Sequence, residues 1–404
     1  MTPSADTGGA QRDGRPSDRP SVPPSVPPGL PPGVPPGALE EEAARLRERL
    51  LAWMAGEAEG MAVDPLGLEV LRYQARANPV YGKLLERRGV DPLTTSDWRD
   101  FPPVPTRAFK ELPPVAGAGE PAALFRTSGT TGGTELRGEH RVLDLELYHA
   151  SLLAQARRHL LPDGEAIRVL ALLPPPGLQP HSSLVHMAGV LSEAWDGGQG
   201  VFLADGEWRL ERDRVAKALA RAEAAGVPVL LISTAFGLVQ WLDGGPDPVT
   251  LPPGSRIMET GGFKGRSRRV ERGQLYGEAS AALGVPVGRI VNEYGMTELL
   301  SQFYEPVLGE GGPEDPSVRR LVGPPWVRTR VLDPRDLSPV SPGEPGLLCH
   351  LDLANLFSAA LVLTEDLGIQ KGDGFQVLGR APGAEPRGCS LTMEDYLAAG
   401  GGGR

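Results

Sequence analysis

Only two cysteines, Cys349 and Cys389, occur in 404 residues. No disulfide framework can hold such a chain, and the usage fits a reducing compartment. Basic charge is not in excess. The formal net charge is −10, which excludes the broad cationic surface that nucleic-acid binders use but leaves room for an anionic ligand in a local nest. No apolar run approaches the roughly 20 residues of a membrane span. No apolar segment of signal-peptide type follows Met1. These absences predict a cytoplasmic protein with neither nucleic acid nor a membrane span among its partners. The six histidines, His140, His149, His159, His181, His186 and His350, show no metal-ligand spacing with the cysteines. No internal repeat is visible. The length allows one large domain or two ordinary ones around a substantial core.

What is present falls into three parts. Residues 1–37 are a low-complexity tail in which Pro-Pro recurs at Pro23, Pro27, Pro31 and Pro35. Such a segment cannot bury enough apolar area to offset its ordering entropy and is expected to be disordered. Residues 38–378 are expected to form the folded domain, and 379–404 a short C-terminal segment ending in the glycine run Gly400 to Gly403. Helical periodicity runs over 40–55, with Leu46, Leu50 and Trp53 along one side, and a second helix is expected over 65–76. From 142 onward helices and short apolar strands alternate. Helices are expected at 142–161, 183–195, 211–225, 236–242 and 268–283, and strands at 167–173, 200–203, 229–232, 256–258 and 289–291. This alternation predicts an α/β fold with mostly parallel sheets flanked by helices. Ligands then bind beyond the carboxyl ends of the strands. Ser233-Thr234, Thr260-Gly261-Gly262 and Asn292-Glu293-Tyr294-Gly295 all fall at such ends. Beyond 318 shorter strand-like pieces follow, such as 347–351 and 360–363.

Three motifs carry candidate chemistry. Thr127-Ser128-Gly129-Thr130-Thr131-Gly132-Gly133-Thr134 packs hydroxyls and glycines into eight positions after the apolar run 122–125. Glycines let backbone N–H groups form an anion nest, and hydroxyls add donors for phosphate oxygens. It is not a Walker A loop, because no lysine follows the glycines. The second motif is Asn292-Glu293-Tyr294-Gly295-Met296-Thr297-Glu298, which reads locally as a strand-to-helix turn with cap residues in the first helical turn. The third, Thr364-Glu365-Asp366 followed by 372–380 with Gly379-Arg380, reads locally as an acidic turn and a hairpin. Each alone is an ordinary turn. Their order and spacing together are far more specific.

Together the motifs resemble the adenylate-forming superfamily of acyl-CoA ligases, luciferases and peptide-synthetase adenylation domains, over roughly residues 65–391. Pro180-His181-Ser182-Ser183-Leu184, Thr260-Gly261-Gly262-Phe263-Lys264-Gly265-Arg266 and Arg387-Gly388-Cys389 bring the chain nearer to the acyl-protein synthetase branch, the LuxE-type enzymes. The resemblance implies ATP-dependent activation of a carboxylic acid, with fatty acids the expected class, to an acyl-adenylate. It implies that Thr127, Ser128, Gly129, Thr130, Thr131, Gly132 and Thr134 hold the ATP phosphates, with Gly261 and Gly262 lining the nucleotide pocket. Tyr294 would lie by the adenine, Thr297 would contact phosphate, and Glu298 would coordinate Mg²⁺. Asp366 would accept from the ribose hydroxyls, and Arg380 would contact the nucleotide. His181 and Phe263 would border the acyl pocket. In-line attack on a phosphorus is mostly positioning and charge neutralisation, and one carboxylate sharing a hard cation with phosphates is the usual Mg²⁺ arrangement.

The departures from the superfamily pattern matter as much. Its usual members continue for about a hundred residues in a mobile domain that supplies a late lysine, whereas here no lysine follows Lys371. The expectation is a large domain with a truncated or absent mobile C-terminal domain, and charge neutralisation from Arg380, Lys264 or Arg266. Cys389 then becomes the candidate acyl acceptor, since a thiolate attacks a mixed anhydride readily and the neighbouring Arg387 would lower the thiol pKa. Cys349, inside the apolar stretch 346–351, reads as core. A partner acyl reductase or acyl-carrier protein would receive the product. Two rival readings stay open: the same fold passing the acyl group to coenzyme A or a carrier protein, and a non-catalytic nucleotide-binding protein.

Overall fold

The computed structural model describes residues 37–58, 60–127, 137–261, 270–381 and 387–401. Three helices come first: α1 (Ala38–Met54), α2 (Val63–Ala77) and α3 (Pro79–Arg88). A short strand β1 (Val104–Pro105) and helix α4 (Ala108–Glu111) lead to the hairpin strands β2 (Ala123–Arg126) and β3 (Glu139–Val142). Alternation then sets in: α5 (Leu145–Leu160), β4 (Arg168–Ala171), α6 (Ser183–Asp196), β5 (Val201–Phe202), α7 (Arg212–Ala225), β6 (Val229–Thr234), α8 (Ala235–Leu242), β7 (Arg256–Thr260), α9 (Arg272–Leu283) and β8 (Ile290–Tyr294). The chain closes with β9 (Phe303–Tyr304), α10 (Val307–Glu310), β10 (Val327–Leu332), β11 (Pro345–Asp352), β12 (Leu361–Lys371), β13 (Gly374–Arg380) and α11 (Arg387–Ala399).

The alternating region forms one six-stranded sheet in the order β5-β4-β6-β7-β8-β9, parallel except for β9 at the edge. Both faces are covered, which explains why its strands read as continuous apolar runs. On β4 and β6, Val169, Ala171, Leu230 and Ile232 face a core shared with α5 and α6. Their neighbours Leu170, Val229 and Leu231 face a second core built with α7, α8 and α9. Side chains two apart thus serve one face. The other large sheet has the order β1-β12-β11-β10 and is antiparallel apart from the β1–β12 pair. The partner of β12 changes along its length. β1 pairs at Val362 and Leu363, and β13 pairs from Asp366 to Lys371. Thr364-Glu365-Asp366 therefore sits at a changeover inside a long strand, where a turn was expected. The hairpin expectation beyond it holds, because Lys371 faces Gly374 across the turn of Gly372 (φ 59°) and Asp373.

Two other expectations are corrected. The helix expected over 142–161 starts at Leu145, because the Asp144 carboxylate caps it by accepting from the Glu146 and Leu147 amides at 2.8 and 3.2 Å. Val142 instead ends strand β3. No helix follows Tyr294 before β9. Residues 299–301 are held by buried Asp352 at the end of β11, which accepts from the Leu300 and Ser301 amides at 3.0 and 2.9 Å and from the Ser301 hydroxyl at 2.7 Å. β13 runs unbroken across 378–379, and α11 packs on α3, β1 and α4.

Candidate active site

The second and third sequence motifs meet in space. Tyr294, last residue of β8, donates its phenolic proton to the Asp366 carboxylate of β12 at 2.9 Å. The Tyr294 ring is fixed among Phe303, His350 and Phe375, with centroids 5.6 to 5.8 Å away. Burial, then the facing Asp366 charge, hold its phenol well above the ordinary tyrosine pKa, so it remains a donor. Asp366 is held from its own strand, where its amide donates to Thr364 Oγ at 3.1 Å and Thr364 Oγ donates to the Leu348 carbonyl at 2.9 Å. Arg380 lies opposite Asp366 across the β12–β13 ladder. Its guanidinium approaches Asp366 at 3.8 Å and Glu365 at 3.6 Å and is 75% exposed. Such long surface pairs are weak, so the guanidinium can turn to another anion at little cost.

Glu298 completes the group. Its side chain is buried, and desolvation is the main reason its carboxyl is pushed up to about 7. Arg380 pulls it down, while Glu365 and Asp366 push it further up. The residue is placed by its backbone. Asn355, just beyond β11, donates to the Glu298 carbonyl at 2.8 Å and to the Ala359 carbonyl at 2.9 Å. His140 of β3 bonds the Thr297 carbonyl through Nδ1 at 2.7 Å. A carbonyl only accepts, so Nδ1 carries the proton, and burial keeps the ring neutral by lowering its pKa to about 4. Strand β3 and the segment just beyond β11 thus converge on the Thr297-Glu298 turn.

The floor under Tyr294 is also built. Thr260 at the end of β7 donates to the Glu293 carboxylate. Glu293 is buried and pushed up to about 7, chiefly by desolvation. A Cβ at Gly295 would stand 2.3 Å from Glu293 Oε1, so glycine is the residue that fits there. Gly261 follows with φ at +80°, a left-handed conformation suited to glycine.

At the mouth of the first motif, Thr127 and Gly138 close the base of the hairpin. The Thr127 amide donates to the Gly138 carbonyl, and the Gly138 amide donates to Thr127 Oγ, both at 2.9 Å. Ser128, Gly129, Thr130, Thr131, Gly132 and Thr134 lie outside the described residues, as do Gly262, Phe263, Lys264 and Arg266. His181 is exposed and tied to β2. Its Nδ1 bonds the Leu124 carbonyl at 2.8 Å, and its own carbonyl accepts from the Arg126 amide at 2.8 Å. It therefore sits beside the hairpin strand that leads to Thr127. His186 forms a stacked pair with His149, Nε2 to Nε2 at 2.9 Å.

The two cysteines are both buried. Cys349 lies in β11, its thiol pushed up to about 12 by burial. Cys389, expected as a reactive thiol, is only 1% exposed and belongs to the main core with Met393 and Tyr396. Its helix is anchored at both ends, by the Gly388 amide on the Pro334 carbonyl at 2.9 Å and the Tyr396 phenol on the Leu112 carbonyl at 3.4 Å. The structure brings Tyr294, Glu298, Asp366 and Arg380 together and sets the Cys389 thiol inside the core. Asp352, Asn355, His140 and Glu293 position the site; in the sequence Glu293 stands only as a member of the second motif and His140 only as a histidine without metal-ligand spacing, and none of the four has a role there.

This architecture has relatives. A 2-hydroxyisobutyryl-CoA ligase in an open conformation with 2-HIB-AMP and CoA superposes with a TM-score of 0.55 at 14% identity, over 78% of this chain and 69% of that one. The same ligase in its thioesterification state gives 0.54 at 15% identity over 78% and 68%. The fold is that of the adenylate-forming enzymes. Residues 218–398 match the family of acyl-protein synthetases, LuxE, a span that takes in Tyr294, Glu298, Asp366, Arg380 and Cys389. Long-chain-fatty-acid–luciferin-component ligases of Aliivibrio fischeri and Vibrio harveyi are 31% identical over 120 residues and 30% identical over 83. These alignments cover 28% and 19% of this chain, and 29% and 22% of the two relatives. Among the described residues no helix is long and apolar enough to cross a membrane.

Proposed function

We propose that this protein is a carboxylate-activating ligase that uses ATP and Mg²⁺ to convert a carboxylic acid, of the fatty-acid class, to an acyl-adenylate and then passes the acyl group to a thiol. The observation that carries the proposal is the convergence of Tyr294, Asp366, Arg380 and Glu298 at the carboxyl end of β8. Asp366 presents carboxylate oxygens suited to a ribose diol, and the Tyr294 ring beside it offers a face for a base. Arg380 supplies a cation to the phosphate side.

The residues present fit Mg²⁺. Glu298 is a buried carboxylate raised by desolvation with Glu365 and Asp366 adding repulsion, and a divalent cation would relieve both. Among the described residues no group of three or more such side chains forms a ready-made metal cage. A single carboxylate sharing the ion with substrate phosphates is the arrangement Mg²⁺ accepts. When bound, the ion would neutralise charge on the phosphates. The chain's own part is to hold the nucleotide against Tyr294 and Asp366 and to keep Glu298 aimed through the Asn355 and His140 contacts.

The acceptor has two readings. Cys389 is the thiol implied by the family, and its use requires α11 to expose it. Its burial favours the second reading, a thiol carried by coenzyme A, a carrier protein or a partner acyl reductase. Carboxylate-dependent exchange of labelled pyrophosphate into ATP, across a panel of acids, tests activation. Intact mass after incubation with acid and ATP separates self-acylation from release to another thiol. Absence of exchange with every acid would leave a nucleotide-binding protein without catalysis.

A further inference from the structure

The outer side of the β2–β3 hairpin carries a cleft of about 500 Å³ lined by Lys110, Pro113, Arg126, Arg137, Glu139 and Arg141. Four cations face one carboxylate, in a chain whose formal charge is −10. The pairing inside the cleft is incomplete. Glu139 draws Arg126 at 3.1 Å and Arg141 at 3.7 Å. Lys110 and Arg137 make no ion pair among the described residues. The arrangement follows from the strand register. Leu124 faces Arg141 and Arg126 faces Glu139, so Arg126, Glu139 and Arg141 share one side of the ribbon, while Phe125 and His140 point into the core. Lys110 closes the cleft from α4, where its Cγ would stand 3.4 Å from a Cβ at Gly138. Gly138 is the residue that closes the hairpin base with Thr127.

We propose that this cleft binds a small polyphosphate anion of the pyrophosphate class, at a site beside the nucleotide's own. A concave cluster with a local charge of +3 cancels most of the charge of such an anion, and convergent Arg and Lys donors match its oxygens. The choice of pyrophosphate rests on the reading of function above, in which it is the co-product. The cleft lies on the two strands that flank the Ser/Thr/Gly motif in sequence, with Arg126 directly before Thr127 and Arg137 directly before Gly138.

The test is equilibrium dialysis of labelled inorganic pyrophosphate against the full-length protein without acid, so that it does not depend on turnover. A non-hydrolysable ATP analogue at saturation keeps the nucleotide site filled. Pyrophosphate is expected to bind under that condition. Lys110→Ala/Arg137→Ala is expected to weaken it at least about tenfold, the loss of two charge-assisted contacts. Glu139→Gln, which removes the one carboxylate, is expected to tighten it several-fold. Far-UV circular dichroism checks that each variant folds, and the milder single variants Lys110→Met and Arg137→Met repeat the test if the pair does not. No binding to wild type, full displacement by the analogue, or unchanged binding in the folded variants would overturn the site. Failure of acid-dependent exchange with retained pyrophosphate binding would instead overturn the activity and leave the site.

Discussion

Tyr294 and Asp366 stand 72 positions apart in sequence, yet the phenol of one donates to the carboxylate of the other at 2.9 Å. The bond joins the end of the parallel sheet to the strand of the antiparallel sheet where β12 changes partner. If Asp366 also accepts from ribose, Asp366→Ala removes a charge-assisted hydrogen bond of about 1.5–3 kcal/mol, about ten- to a hundredfold in affinity. The KM for ATP is expected to rise by that factor while the KM for the acid moves little. Initial rates of pyrophosphate release measure both, and an unchanged ATP dependence would remove Asp366 from the nucleotide site.

Glu298→Ala is expected to reduce acid-dependent pyrophosphate release to near background at ordinary Mg²⁺, since Asp366 is engaged by Tyr294 and both Asp366 and Glu365 face Arg380. The pH dependence has a definite sign. The folded-state pKa of about 7 lies above the usual 4.5. The folded protein therefore holds this proton in a range where the unfolded chain has lost it, and stability falls as pH rises from about 4.5 to 7. Glu293, also raised to about 7, acts in the same direction. Glu298→Gln should flatten part of that fall in urea melts. Metal binding needs the carboxylate, so Mg²⁺ affinity should strengthen as pH rises, by up to about tenfold per unit below pH 7. A Mg²⁺ dependence that stays constant from about pH 6 to about pH 8 would exclude Glu298 as the ligand.

The Asp352 clamp is expected to matter for both stability and rate. Its two oxygens accept four hydrogen bonds from Leu300, Ser301 and Ala354. Asp352→Ala would leave the Leu300 and Ser301 amides without their carboxylate partner, while the Ser301 hydroxyl keeps Ser151 and Trp326, for a loss of about 2–5 kcal/mol in urea unfolding. In protein that remains folded, kcat should fall more than the KM for ATP rises, because the clamp holds Leu300 and Ser301, which directly follow the Thr297-Glu298 turn. Equal losses in all three quantities would point to general unfolding instead.

Much of this fold can be read from the chain because both faces of the parallel sheet are buried. Residues such as 229–232 then read as unbroken apolar runs, and glycines such as Gly226 stop the intervening helices. Helix α3 escapes notice because Asn78 ends α2 and caps α3 at once, accepting from the Val80 and Tyr81 amides at 3.1 Å. The Tyr294–Asp366 meeting is accessible only through the order of the motifs, since nothing local in either strand announces the other. Asp352 reads as an ordinary strand end capping Ala354, because its other partners, Leu300 and Ser301, lie 52 and 51 residues upstream. The burial of Cys389 did leave a trace. Cys389, Met393 and Tyr396 recur at the spacing of one helix face, which a search for a reactive thiol passes over.

Cys389 decides what happens after activation. Adenylation by the proposed site involves Glu298 and Asp366 and no thiol, so acid-dependent pyrophosphate exchange should survive Cys389→Ser. The substitution places a hydroxyl in the core, which should lower stability by about 1–3 kcal/mol, so Cys389→Ala serves as a second variant with a small cavity in its place. If α11 opens during the reaction, labelled acid and ATP should mark wild type with a label that neutral hydroxylamine removes. Neither Cys389 variant should then be labelled, because a serine without an adjacent base is a poor nucleophile and any ester would resist hydroxylamine. Cys349→Ser should still be labelled. The burial makes a further demand on this route. A thiol-alkylating reagent should modify Cys389 slowly in the resting protein and faster once acid and ATP are added, since a thiol that acts must first be reached. A hydroxylamine-labile label on Cys389→Ala would exclude this cysteine. Unlabelled wild type, together with acylated coenzyme A or carrier protein in the same mixture, would assign the acceptor thiol to the partner molecule.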